Sequence, residues 1–291
     1  MNKAISKFTF SLLNADAVHL NKNWNYRNII SPFYRLYFID EGMGTLSTSS
    51  QSHLLEKGHL YLIPGFTICN YCCTDYLHQY YLHFTEESTD GTSLFLWNRK
   101  IFKVRANHID IANFKRLLKI NYGRSLIKSE NPRDYEKGPI LKGFQELNDL
   151  LPVAAYMETQ GIILQLLSRF LASEHFQFGR KNVIPSKISN AIQYIQSNLQ
   201  ITLTVSDLAA RANQNADYFS RVFAEQMGER PLAYIQLKRI ERAQFLIITT
   251  GLSFTEIAGQ TGFETLSYFS RIFKHVTGQT PSEYKRNSRS V

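Results

Sequence analysis

Leu266, Ser267, Ser270, Arg271 and Lys274 fall at spacings that place them on one side of a helix, and Asp217, Ser220 and Arg221 repeat most of that pattern fifty residues earlier. An arginine can form two parallel hydrogen bonds to a flat acceptor edge, a serine bonds permissively, and a leucine suits a methyl group. Projected together from the early turns of a helix, these groups suit the base edges of a DNA major groove, where a good bidentate pair discriminates by roughly 1 to 3 kcal/mol. Such a helix must bury its other side against its own domain.

The elements needed for that burial are duplicated. The segment YFSRVFAEQMGERPLAY at Tyr218 to Tyr234 returns as YFSRIFKHVTGQTPSEY at Tyr268 to Tyr284, with Tyr-Phe-Ser-Arg, the next Phe, the Gly, the Pro and the last Tyr in register. Phe219, Val222 and Phe223 form an inward stripe in the first copy, and Phe269, Ile272 and Phe273 do so in the second. Upstream lie TVSDLAARA at 204 to 212 and SFTEIAGQTG at 253 to 262, opened by the cap pairs Thr204 with Asp207 and Ser253 with Glu256. Short turns follow at Asn213-Gln214 and Gly262-Phe263-Glu264, and Asn215 and Thr265 are placed to cap the second helices. Helix, short turn and second helix, twice over, is a paired helix-turn-helix plan.

These residues closely resemble the AraC-type transcriptional regulators. The signature runs through Ile257-Ala258, Gly262-Phe263, Tyr268 to Lys274, and Gly278, Pro281 and Tyr284, within a resemblance spanning roughly Ser186 to Arg286. It implies base contacts from Ala216, Asp217, Ser220 and Arg221 on the first recognition helix, and from Leu266, Ser267, Ser270 and Arg271 on the second. It also implies a joining helix, for which Pro231 to Ile248 is suited by Pro231 at the first helical position and a stripe of Ile235, Ile240, Ala243, Leu246 and Ile247. Asp217 departs from a basic face. It either accepts from a cytosine amine or favours its helix N-terminus, and the second role is preferred.

In the N-terminal half, YRLYFID, TLSTSS, HLYLIP and HQYYLHF read as strands separated by EGMG, EKG and PG turns. The stretch from Glu56 to Pro64 resembles the Gly-Asp-x-x-x-x-Pro stretch of cupin barrels, with His59 where Asp is usual. With Tyr81 to Phe84 it resembles the sensor domain of many AraC-type proteins, which implies a barrel holding a small effector such as a sugar or other metabolite. Gln79, Tyr81 and His83 share a strand face, and Glu41 and Tyr71 loosely match positions in sugar-binding relatives. These side chains either meet an effector or fill the core.

Residues 107 to 174 read as helical, with Ile163, Leu166, Leu167, Phe170 and Leu171 forming a wide apolar face suited to covering the barrel and to dimerisation. The expected fold is therefore α+β: a cupin-like β-barrel with trailing helices over 1–174, a linker over 175–185, and an all-α domain with two helix-turn-helix units over 186–291. The expected function is a small-molecule-responsive activator, with a ligand-independent dimeric DNA-binding protein and a metal-dependent cupin enzyme as alternatives. The family implies promoter DNA, a small-molecule effector, RNA polymerase and a second copy of the chain as partners.

Bulk properties fit this reading without carrying it. The net charge of +9 suits a polyanion, yet it is spread, with 21 basic against 16 acidic residues before position 186 and 12 against 8 after it. Cys69, Cys72 and Cys73 build no disulfide framework, and no secretory signal or membrane-spanning stretch stands out, so a cytoplasmic protein without membrane contact is expected. The Cys69, Cys72, Cys73 and His78 group has a superficial zinc spacing, but adjacent strand residues face opposite ways. There is no His-x-His pair and no glycine-rich phosphate loop. No metal, cofactor or catalytic residue is expected.

Overall fold

Arg35, Tyr37 and Ile39 alternate with Leu36 and Phe38 along one strand, and both sets are buried. A strand of this kind is covered on both faces and lies inside its sheet. The computed structural model, which describes residues 8–48, 51–88, 93–95, 99–126, 131, 138–171 and 185–287, places it so. Two compact units are present, one of residues 8–87 and 99–171, the other of residues 185–287 with the short piece 93–95.

The first unit contains β1 (Phe8–Asn21), β2 (Asn25–Ile29), β3 (Tyr34–Gly42), β4 (Gly44–Ser47), β5 (Ser52–Leu55), β6 (His59–Ile63), β7 (Cys69–Cys72), β8 (Tyr76–Ser88) and β9 (Phe102–Arg105). A five-stranded sheet has the order β1-β8-β3-β6-β9, and a four-stranded sheet the order β2-β7-β4-β5. In the first, β3 runs antiparallel to both neighbours, with Arg35 opposite Ile63 on β6 and His83 on β8. Trp24, Tyr37, Leu46, Tyr71, Leu77 and Tyr81 join residues of both sheets in one buried cluster between them.

Three helices follow: α1 (His108–Ile120), α2 (Gly138–Asp149) and α3 (Val153–Leu171). Phe114 of α1 lies 6.0 Å from Phe38, on the face of β3 turned away from the second sheet. Ile162, Ile163, Leu166, Leu167 and Phe170 of α3 are buried. Arg124, fully buried, ties this layer to the sheet: its Nη1 donates to the carbonyls of Leu12, Leu13 and Phe144 at 2.9, 3.1 and 3.0 Å, and its Nη2 to Asn148 at 2.7 Å. Burial pulls this guanidinium down to about 10.

The strands expected near 34–40, 45–50, 59–64 and 78–84 correspond to β3, β4, β6 and β8, whereas β1, β2, β5, β7 and β9 were not anticipated. The helical reading of 107 to 174 holds for α1 to α3 but not for 121–126, which contains a turn. Of the expected linker only Pro185 is among the described residues. Cys69 and Cys73 are buried, and burial pushes the Cys69 thiol up to about 11. Among the described residues no group of three or more His, Cys, Asp and Glu is placed to hold a metal, and no single helix is long and apolar enough to cross a membrane.

The second unit is helical throughout its regular structure: α4 (Ser186–Ser197), α5 (Val205–Arg211), α6 (Ala216–Met227), α7 (Pro231–Thr249), α8 (Phe254–Gln260), α9 (Leu266–Thr277) and α10 (Pro281–Asn287). Ile188, Ile192, Leu208, Phe219, Phe223 and Ile235 anchor a core shared by α4 to α7.

Candidate nucleic-acid interface

The two helix pairs are α5 with α6 and α8 with α9. Each begins as its sequence dictates. Thr204 Oγ1 accepts from the Asp207 amide at 3.1 Å and donates to the Asp207 carboxylate at 2.6 Å. Ser253 and Glu256 form a reciprocal box, with the Ser253 amide donating to Glu256 Oε2 at 2.7 Å and the Glu256 amide to Ser253 Oγ at 3.3 Å. The Ser253 donors hold the Glu256 carboxyl below its ordinary value.

The recognition helices are capped separately. Asn215 Oδ1 accepts from the amides of Asp217 and Tyr218 at 2.8 and 3.2 Å, and Thr265 Oγ1 accepts from Tyr268 at 3.2 Å. The turns differ by one residue, 212–215 against 261–265, as the repeat implies. Helices α6 and α9 stop at Gly228 and Gly278, which have φ of 75° and 77°.

Burial divides the two helices as a recognition surface requires. Phe219 and Phe223, and Phe269 and Phe273, are fully buried, while Val222 and Ile272 are half-buried. Asp217 and Arg221 are exposed on α6, and Ala216 and Ser220 are half-buried beside them. On α9, Leu266, Ser267, Arg271 and Lys274 are exposed and Ser270 is half-buried. Each arginine leans on a tyrosine one turn back, Arg221 over Tyr218 at 5.5 Å and Arg271 over Tyr268 at 5.2 Å. The faces differ in charge. Arg221 lies 3.9 Å from the Glu225 carboxylate, whereas His275 takes the corresponding place after Arg271.

In the first unit, Tyr71, Gln79, Tyr81 and His83 are buried, and Gln79, Tyr81 and His83 share the inner face of β8. Glu41 is set apart from them, exposed after the bulge between Ile39 and Glu41. At their centre is Arg35, a residue the sequence reading overlooked. Its Nη1 donates to the Tyr71 hydroxyl and its Nη2 to the Thr67 carbonyl at 2.8 Å. The alternation of Arg35 with Tyr37 and Ile39 was the available signal, since it puts a cation on the strand's inward face. Gln79 Oε1 and Thr67 Oγ1 are buried with no hydrogen-bond partner among the described residues.

Burial, reinforced by the Arg35 charge, holds the His83 imidazole well below its ordinary value, and burial with Lys103 lowers that of His53. The unfolded chain takes up these protons as pH falls through about 6.5, but the folded chain does so only further down. Stability is therefore complete above about 6.5 and declines as pH drops below it. The urea midpoint of the full chain should fall between about pH 7.5 and pH 5.5, and His83→Gln should flatten that fall. An unchanged pH slope in His83→Gln would contradict a neutral buried imidazole.

A family model described as a helix-turn-helix domain matches residues 208–287, from within α5 through both recognition helices. The C-terminal unit carries a helix-turn-helix domain of the AraC type. An uncharacterised HTH-type transcriptional regulator of Staphylococcus aureus is 28% identical over 45% of this chain and 18% of its own length, so the chain spans less than a fifth of that longer relative. The uncharacterised HTH-type transcriptional regulator YisR of Bacillus subtilis is 26% identical over 87% of this chain and 85% of YisR. Among solved structures, ToxT of Vibrio cholerae O395, bound to (E)-4-(8-methylnaphthalen-1-yl)but-3-enoic acid, is similar with a TM-score of 0.53 and 18% identity, covering 96% of this chain and 99% of that one. That likeness is one of fold, sheets followed by helices, and it takes in the N-terminal half as well.

Proposed function

We propose that the chain is a sequence-specific DNA-binding transcription regulator, an activator of cytoplasmic promoters, whose N-terminal unit binds a small molecule. The observation that carries the DNA reading is the duplicated recognition face, with Asp217, Ser220 and Arg221 on α6 and Ser267, Ser270, Arg271 and Lys274 on α9 displayed over buried phenylalanines. Ala216 and Leu266 add apolar contacts at the two helix starts. Asp217 sits in the first turn of α6, where its charge favours the helix N-terminus.

A small effector in the first unit is supported by the buried polar group around Arg35, Tyr71, Gln79, Tyr81 and His83, and by the acid bound in ToxT, which shares this fold. A second copy of the chain, paired through the trailing helices, and RNA polymerase complete the assembly at a promoter. No catalytic role falls to any residue in this reading.

Selection of duplexes from a random pool by the full chain tests the DNA reading, with recovery of a two-part sequence motif as the expected result and an unenriched pool as the contrary one. Screening sugars and small carboxylic acids for a saturable rise in melting temperature of the full chain tests the effector. A shift abolished by Arg35→Met or Gln79→Ala places the effector in the first unit. No shift across the panel favours a ligand-independent regulator.

A further inference from the structure

Helices α4 and α5 of the second unit enclose a groove of about 500 Å³ that contains none of the base-reading residues. Its floor is apolar, with Ala191, Leu208 and Ala212 buried, and its rim is polar, with Lys187, Asn190 and Arg211 exposed. Among the described residues no member of α6 lines it, so it is separate from the face that presents Ser220 and Arg221. No aspartate or glutamate among the described residues lines it either, and neither Lys187 nor Arg211 has an ion-pair partner among them.

Arg211 is ordered before any partner arrives. Its guanidinium lies 3.7 Å from the centre of the Tyr194 ring, a stacking contact that fixes the planar fork at the edge of the groove. The N–H groups of that fork meet no acceptor among the described residues. The duplication supplies an internal control. Helices α5 and α8 are both seven residues long and follow the equivalent caps Thr204 and Ser253, so Leu208 matches Ile257 and Ala209 matches Ala258. At the last position α5 has Arg211 and α8 has Gln260. A helix-turn-helix unit therefore folds without a cation at this place, and Arg211 is not what the fold demands.

We infer that this groove docks an acidic segment of a partner protein, with carboxylates for Arg211 and Lys187 and an apolar side chain on the floor made by Leu208. A tyrosine and an arginine beside an apolar floor, under a polar rim, is the anatomy of a protein contact, in which those two residue types carry a large share of the binding. A phosphate backbone needs donors alone and gains nothing from the floor. The sign of the charge selects the partner, because a basic segment would set like charges against Lys187 and Arg211. Docking here requires no duplex, so the inference stands apart from the DNA-binding reading.

Selection of short random peptides displayed on phage, with the full chain as target, followed by titration of a selected peptide in free form, tests the groove. Enriched sequences should carry several Asp or Glu around a Leu, Ile or Phe. Arg211→Gln, the residue type that the second copy uses, should weaken that peptide by about tenfold or more, while the protein melts as wild type does and binds duplex within about twofold of it. Arg211→Lys keeps the charge but loses the fork and the stacking, and Lys187→Gln removes the other cation, so each should cost about threefold or more. An excess of duplex should leave the peptide bound.

No enrichment, or enrichment without acidic residues, overturns the docking site, and so does an Arg211→Gln protein that holds the peptide as wild type does. Displacement of the peptide by duplex also overturns it, because the peptide then sits on the recognition face. Equal loss of selected and scrambled duplexes in Arg211→Gln, with the slope of log affinity against log salt reduced by about 1, assigns the groove to the DNA backbone instead. If the random duplex pool yields no motif, the DNA-binding reading fails while the peptide titration still decides the groove.

Discussion

Arg271→Ala should lower affinity for the selected duplex by about tenfold to a hundredfold, while changing affinity for a scrambled duplex of equal length by less than about threefold. The asymmetry follows from geometry. The Arg271 side chain is exposed on the outward face of α9, within two turns of its cap Thr265, and leans on the Tyr268 ring, so its planar fork is partly ordered before it meets a base edge. Arg221→Ala should cost less by about twofold, because the Glu225 carboxylate at 3.9 Å competes for the free guanidinium, an exposed i,i+4 pair of roughly 0.3 to 0.5 kcal/mol. Lys274, exposed further along α9, offers a point charge suited to phosphate. Lys274→Ala should weaken both duplexes alike and reduce the slope of log affinity against log salt by about 1. Equal losses on both duplexes for Arg271→Ala would reassign it to the phosphate backbone.

The helical half was legible because its determinants are local. Caps, the four-residue spacing of Phe219 and Phe223 or Phe269 and Phe273, and helix-ending glycines all lie within a dozen residues of what they specify, and the duplicate checked each of them. The sheets were legible only where apolar alternation stands next to a turn signal, as in β3 and β6. Long β1 reads FTFSLLNADAVHLN, with polar residues interrupting its alternation, and its place at the end of the sheet beside β8 is set by a partner far along the chain, with His19 meeting Tyr76 and Ser11 meeting Thr85. Arg35 was passed over for a related reason. A cation on an inward strand face contradicts composition rules, and only the arrival of Tyr71 and the Thr67 carbonyl from elsewhere in the chain makes the position tenable. Glu41 stands apart from the other four because the bulge after Ile39 changes which face the following residues take.

Phe273→Ala should destabilise the second helix-turn-helix unit by roughly 3 to 5 kcal/mol, enough to use up much of the stability of a small domain. Phe273 is fully buried, with its ring 5.6 Å from Phe269 and 5.4 Å from Tyr284, while Phe269 packs at 5.4 Å on Phe263 of the preceding turn. These rings seat α9 between its turn and α10, so removing the central one leaves a cavity under the face that carries Ser270 and Arg271. Ile272, half-buried, should cost less when cut to Ala. The comparison with Arg271→Ala separates folding from reading. Removing an exposed arginine should leave the urea midpoint nearly unchanged, within about 0.5 kcal/mol of stability, while reducing discrimination. Phe273→Ala should instead speed amide exchange across residues 266–277 and lose specific and scrambled duplexes together, because a helix without its seat positions neither base nor phosphate contacts. Wild-type exchange rates in Phe273→Ala, with binding nonetheless lost, would mean that this ring does not position α9.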